Sequence, residues 1–113
     1  MSIEIYRDMP ERVLAESVAR VCEQLDLLHY HTYRSDRSPA GWPDEAIISG
    51  DWIYFLELKK FGGRRSPEQR LWIEQLQQVR HVAAGFVEPP DWPDWRDRII
   101  AASDALGVRA AGK

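Results

Sequence analysis

The chain has 113 residues, with 15 Lys+Arg against 18 Asp+Glu and a formal net charge of −3. Hydrophobic residues make up 44% and charged residues 29%, which suits one globular domain with a real core and excludes a disordered tail or a fibrous repeat. The single cysteine, Cys22, excludes an intramolecular disulfide and a cysteine-based zinc cluster, and makes a reducing cytosol the natural setting.

In chain order, residues 1–10 carry acids and no apolar run, so they do not read as a secretory signal. No stretch approaches the ~20 apolar residues of a membrane helix. Pro10 opens the first periodic segment, where its missing N–H costs nothing. Val13, Leu14, Ser17, Val18, Val21, Leu25 and Leu28 recur every three or four residues, which predicts a helix over about 10–28. Residues 29–33 are aromatic and β-prone, a short strand, and residues 34–42 collect Ser, Pro, Gly and charge, a loop. Residues 45–48 and 52–59 form a hairpin about Ser49-Gly50-Asp51. In its second strand Ile53, Phe55, Glu57 and Lys59 face one way, and Trp52, Tyr54, Leu56 and Leu58 the other. A glycine-centred basic loop, 60–65, leads to Ser66-Pro67-Glu68-Gln69, the residues of a capped helix start. That helix runs to about Arg80 with Leu71, Trp72, Ile73, Leu76 and Val79 filling it. Residues 82–87 are an apolar strand. A last helix runs from Asp91 or Asp94 through Leu106 with Trp95, Ile99 and Ile100 inward, and the end frays from Arg109. The order α-β-β-β-α-β-α describes one α/β domain, core about 10–106, around a small mixed sheet flanked by helices.

Twelve residues separate Pro43-Asp44 from Glu57-Leu58-Lys59. Antiparallel pairing of the hairpin brings both carboxylates to one end of the sheet. Two acids held close repel strongly unless a cation lies between them. Mg²⁺ (or Mn²⁺) suits carboxylate oxygens and retains waters for chemistry. Lys59, on the same face as Glu57, is placed to orient a water and to stabilise charge on a phosphoryl group. Lys60, Arg64, Arg65 and Arg70 make a basic run beside this site, suited to neutralising backbone phosphates.

This arrangement resembles the PD-(D/E)XK nucleases, and more closely their virus-type replication-repair branch, the VRR-NUC domains. The parts that carry the resemblance read Glu16, Tyr30-His31-Thr32, Arg34-Ser35-Asp36-Arg37-Ser38, Gly41-Trp42-Pro43-Asp44, Glu57-Leu58-Lys59, Gly63-Arg64 and Ser66-Pro67-Glu68-Gln69. The resemblance covers about residues 12–106. The resemblance implies a restriction-endonuclease-like core and a Mg²⁺-dependent endonuclease acting on DNA, in particular branched or four-way-junction DNA. It implies Asp44, Glu57 and the Leu58 carbonyl as metal ligands, with Glu16 completing the site. Lys59 would be the catalytic lysine and Gln69 a supporting residue, although Gln69 also fits a capping box with Ser66. His31, Ser35 and Arg37 would face the nucleic acid. Stand-alone members are expected to pair as homodimers, and phage or bacterial replication, recombination or repair in the cytoplasm is the implied setting. Glu45 departs from the pattern, standing where the family places an apolar residue.

Two other readings compete. A catalytically degenerate nuclease fold would bind branched or single-stranded nucleic acid without cutting, and the intact Asp44, Glu57 and Lys59 speak against it. Cleavage of RNA is compatible with the same residues. No organic cofactor is called for. Trp92 and Trp95 are candidates for an apolar dimer patch, and core packing explains them equally well.

Overall fold

The computed structural model describes residues 6–32 and 35–111, the side chains of Ser35 and of 106–111 excepted. In chain order come α1 (Glu11–Gln24), β1 (His29–His31), a 3-10 turn (Ser35–Arg37), β2 (Glu45–Ser49), β3 (Trp52–Leu58), α2 (Pro67–Leu76), β4 (Val82–Val87), a second 3-10 turn (Pro89–Asp91) and α3 (Trp92–Ala111). The strands form one sheet in the order β1-β2-β3-β4. The first two pairings are antiparallel; β3 and β4 run parallel, which the crossover through α2 allows. Among the described residues these elements make an α/β fold, a small four-stranded mixed sheet with α1, α2 and α3.

The core lies on one face of the sheet. Leu14, Val18 and Cys22, four residues apart on α1, pack with Ile47, Tyr54, Leu56 and Leu58 of the hairpin and with Val87 and Ile99. Ser49 Oγ donates to the Ile99 carbonyl at 2.6 Å, tying α3 to the same face. Burial pushes the Cys22 thiol up to about 11, with the Glu45 charge adding to the rise, so this cysteine is an inert packing group.

Three boundaries differ from the periodicity. The first helix stops at Gln24, because Asp26 adopts a left-handed φ of 58° and the Leu27 N–H turns back to the Cys22 carbonyl at 2.9 Å. Leu28 therefore leaves the apolar stripe and is exposed. The helix α2 stops at Leu76, and Leu71 and Val79 face solvent instead of filling it. The helix α3 starts at Trp92 and continues to Ala111, past the expected fraying point. Trp92 is buried in the core, and the Trp95 ring lies against Gly85 with Arg98 stacked over it at 4.4 Å. These two tryptophans do not form a surface patch. No helix among the described residues is long and apolar enough to cross a membrane.

Candidate active site

Asp44 sits on the residue before β2, and neighbouring elements hold it there. Thr32, just past β1, donates its N–H to the Asp44 carbonyl at 2.9 Å and its hydroxyl to the Pro43 carbonyl at 3.0 Å. On the other side the loop is pinned to α2: Trp72 Nε1 donates to the Ala40 carbonyl at 3.0 Å, and Trp42 packs edge-on against Trp72 and Phe55. Gly41, at φ +83°, makes this approach possible, since a Cβ there would run into the backbone of Glu68 and Gln69. The Asp44 carboxylate then accepts the Leu58 N–H at 2.8 Å, while the Asp44 N–H donates to Glu57 Oε2 at 3.2 Å. The two acids are interlocked through backbone groups.

Glu57 is oriented from α2. The Ser66 cap and Gln69 form a reciprocal box: Ser66 N–H donates to Gln69 Oε1 at 2.9 Å, and Gln69 N–H donates to Ser66 Oγ at 3.1 Å. With its oxygen engaged by the cap, the Gln69 amide presents its nitrogen, which donates to Glu57 Oε1 at 2.6 Å. Capping and site support are thus one arrangement. Glu57 is 4% exposed and Lys59 9%. Burial pushes the Glu57 carboxyl up from 4.5 to about 8; the Asp44 charge and a hydrogen bond between the two carboxyls add to the rise, and Lys59 opposes it. At neutral pH the isolated pair holds a proton that a cation of charge two would displace.

These groups line a cavity of about 260 Å³ together with Glu11, residues 38–42 and Leu58. Glu16 does not join them. It lies one residue, about 100° of helix rotation, beyond Ala15, which lines a neighbouring cavity, and its exposed carboxylate accepts from Arg12 at 2.7 Å. The acid that α1 brings to the cavity is Glu11, in its first turn. Lys60, Arg64 and Arg70 lie on the loop after β3 and the first turn of α2, Lys60 and Arg64 flanking the glycines. Arg65 is committed elsewhere, stacked over Phe86 at 4.4 Å and paired with Glu88 at 3.4 Å. Arg37 is exposed in the 3-10 turn, and the Ser35 side chain lies outside the described residues. His31 lines a neighbouring cavity.

Two residues at this end of the sheet, His29 and Glu11, carry no role in the sequence pattern, and Glu45 enters it only as a departure. The alternation His29-x-His31 opposite an acid in register is the signal that could have found the first. Glu11 had a signal too: it continues the Leu14-Val18-Cys22 stripe toward the start of α1, whereas Glu16 is turned off that stripe.

No family model, curated protein or solved structure matches this chain.

Proposed function

We propose that this chain is a Mg²⁺- or Mn²⁺-dependent endonuclease that hydrolyses DNA phosphodiester bonds, with a restriction-endonuclease-like core of the VRR-NUC kind and a preference for branched or four-way-junction DNA. The observation that carries the reading is the Asp44–Glu57 pair. Two carboxylates are forced together at a cavity, one of them pushed up to about 8, with a buried lysine beside them. A raised carboxyl beside a second carboxylate at an open cavity is the arrangement that a divalent cation relieves, and it supports this reading.

Among the described residues no three His, Cys, Asp or Glu side chains group to hold a metal. Mg²⁺ does not need three, since it keeps several waters and takes one or two carboxylates plus substrate oxygens. Asp44, Glu57 and the Leu58 carbonyl would hold it. When bound it would polarise the phosphoryl group and acidify a coordinated water. Asp44 is kept in position by the Leu58 N–H, and Gln69 selects the orientation of Glu57. Lys59 supplies a fixed positive charge where the phosphoryl oxygens gain negative charge. Lys60, Arg64 and Arg70 neutralise phosphates to either side.

A cleavage panel of duplex, flap, splayed-arm and four-way-junction DNA with Mg²⁺, Mn²⁺, Ca²⁺ or EDTA tests the reading. Cleavage with Mg²⁺ or Mn²⁺ that Asp44→Asn abolishes, with binding retained, is the expected result. Binding without cleavage in every condition would make this a nucleic-acid-binding module. RNA in the same panel decides the nucleic-acid class.

A further inference from the structure

The lysine beside the carboxylate pair is followed by a loop that returns over it. Residues 60–65 lead from β3 to the Ser66 cap of α2, and the Gly63 N–H closes a turn on the Lys60 carbonyl at 2.8 Å. A Cβ added at Gly63 would stand 2.9 Å from the Lys60 carbonyl oxygen, and 3.3 and 3.4 Å from Cβ and Cδ of Lys59. The loop backbone therefore lies directly on the lysine stem. Only glycine allows this approach, and it contributes to the burial of Lys59.

The end of β4 holds both the lysine and its cover. The Val87 carbonyl accepts the Lys59 N–H at 2.9 Å, and the next residue, Glu88, takes the loop. One Glu88 oxygen accepts the Gly62 N–H at 3.0 Å and the other accepts from the Arg65 guanidinium at 3.4 Å. That guanidinium also stacks over Phe86 at 4.4 Å. Glu88 is itself fixed: its N–H donates to Asp91 Oδ2 at 3.0 Å, and Pro89 and Pro90 stiffen the chain after it. An exposed ion pair adds little to stability. The effect of this bridge is geometric, since Gly62 and Arg65 stand on either side of Gly63 and one carboxylate ties both.

We infer that Glu88 is a positioning residue for Lys59. By pinning Gly62 and Arg65 it keeps Gly63 seated on the lysine stem, and so fixes the direction in which the ammonium meets the cavity of Asp44 and Glu57. The inference rests on the nuclease reading above. A lysine ammonium rides on a flexible four-carbon stem, so its aim has to come from what packs against that stem. Misplacing a catalytic group by about 1 Å costs up to about a hundredfold in rate. Glu88 acts on the cavity only through the loop and Lys59.

Two measurements test this, one on the free protein and one on cleavage. Acetylation by dilute acetic anhydride, read by mass spectrometry as the Lys59 rate relative to the exposed Lys60, reports the cover. At a temperature where circular dichroism shows each variant folded, Glu88→Ala is expected to raise that ratio about tenfold. Glu88→Gln, which keeps an acceptor for the Gly62 N–H, should raise it less. An unchanged ratio in both variants overturns the inference. On junction DNA with Mg²⁺, Glu88→Ala should lower kcat about tenfold, and Glu88→Gln should recover part of the loss. DNA affinity in Ca²⁺ should be equal or higher, because Arg65 is released to meet a phosphate. In a Lys59→Ala background Glu88→Ala should lower kcat no further. An equal further loss there, or a loss confined to DNA affinity, overturns the inference. Wild-type cleavage whose kcat Glu88→Ala leaves unmoved would sink this inference alone. Wild type that cuts no probe would sink the nuclease reading, and the acetylation ratio would still decide whether Glu88 holds the loop on Lys59.

Discussion

Glu57→Gln tests the electrostatics of the site without assuming any substrate. In the unfolded chain Glu57 titrates near 4.5, and in the folded, cation-free chain near 8. Below 4.5 both forms are protonated and the contribution to stability is fully present. Between about 4.5 and about 8 the folded form keeps a proton that the unfolded form has lost, so stability falls as pH rises, and above 8 the contribution is gone. At about 1.4 kcal/mol per tenfold change in proton affinity the whole rise amounts to about 5 kcal/mol. The carboxyl opens on a cavity that admits water, and screening there brings the expected loss to about 2 kcal/mol. For a chain of this length that is roughly 8 °C in Tm. The substituted amide carries no charge at any pH, so the variant lacks this slope; its missing acceptor for the Asp44 N–H is a constant offset. Thermal unfolding in EDTA from about pH 4 to about pH 9, spanning both ends of the titration, is the assay. The stability of Glu57→Gln relative to wild type should climb with pH by about 2 kcal/mol. At about pH 8.5, Mn²⁺ at roughly a hundredfold excess over its Kd should restore about 2.7 kcal/mol to wild type and nothing comparable to the variant. Parallel curves for the two proteins, with or without Mn²⁺, would refute the account of the carboxylate pair.

Lys59→Ala is expected to lower cleavage by about a hundredfold or more, while calorimetry at about pH 9, where Glu57 is ionised, finds cation affinity unchanged or higher because a nearby positive charge has gone. Gly41→Ala places a Cβ against the backbone of Glu68 and Gln69 at a left-handed φ, and should cost about 2 kcal/mol in denaturant unfolding while reducing cleavage, since the loop carrying Asp44 is displaced. Arg64→Glu with Arg70→Glu should weaken DNA binding and lower the slope of log K against log[salt] by about 1 for each phosphate no longer neutralised; Arg65→Glu should change that slope least, because Arg65 is already paired with Glu88. One chain holds one Asp44–Glu57–Lys59 set, so two-strand cutting calls for a homodimer, read by sedimentation as a species of twice the 13.1 kDa chain mass; a single 13.1 kDa species that leaves only single nicks would assign a monomeric nickase.

The elements were legible in the sequence because each is written in local terms. Val82–Val87 reads as a strand from its run of small and apolar residues, α2 announces its start through Ser66-Pro67, and the alternation of β3 places Glu57 and Lys59 on one face. Hairpin geometry also sufficed to bring Asp44 to Glu57, since antiparallel register is a local consequence of a short turn. Helix ends were less legible: the stop at Gln24 depends on Asp26 entering a left-handed conformation, which apolar spacing does not encode.

Beyond local pattern, only the tertiary structure decided how the site is completed. That the first turn of α1 lies beside Asp44 is set by packing: Glu11, on the core-facing stripe of the helix, reaches the cavity, and Glu16, turned off that stripe, pairs with Arg12. Gln69 could cap a helix or serve the carboxylates, and the fold makes it do both, because the cap fixes its oxygen and α2 docks with its nitrogen toward Glu57. Glu45 is an acid in an apolar position until β1 pairs with β2; the pairing then supplies two imidazoles at hydrogen-bond distance and makes its burial tolerable. Residue type and spacing thus determined which groups this chain could bring to chemistry. Long-range packing, which sets rotation, depth and partner, decided which of them meet.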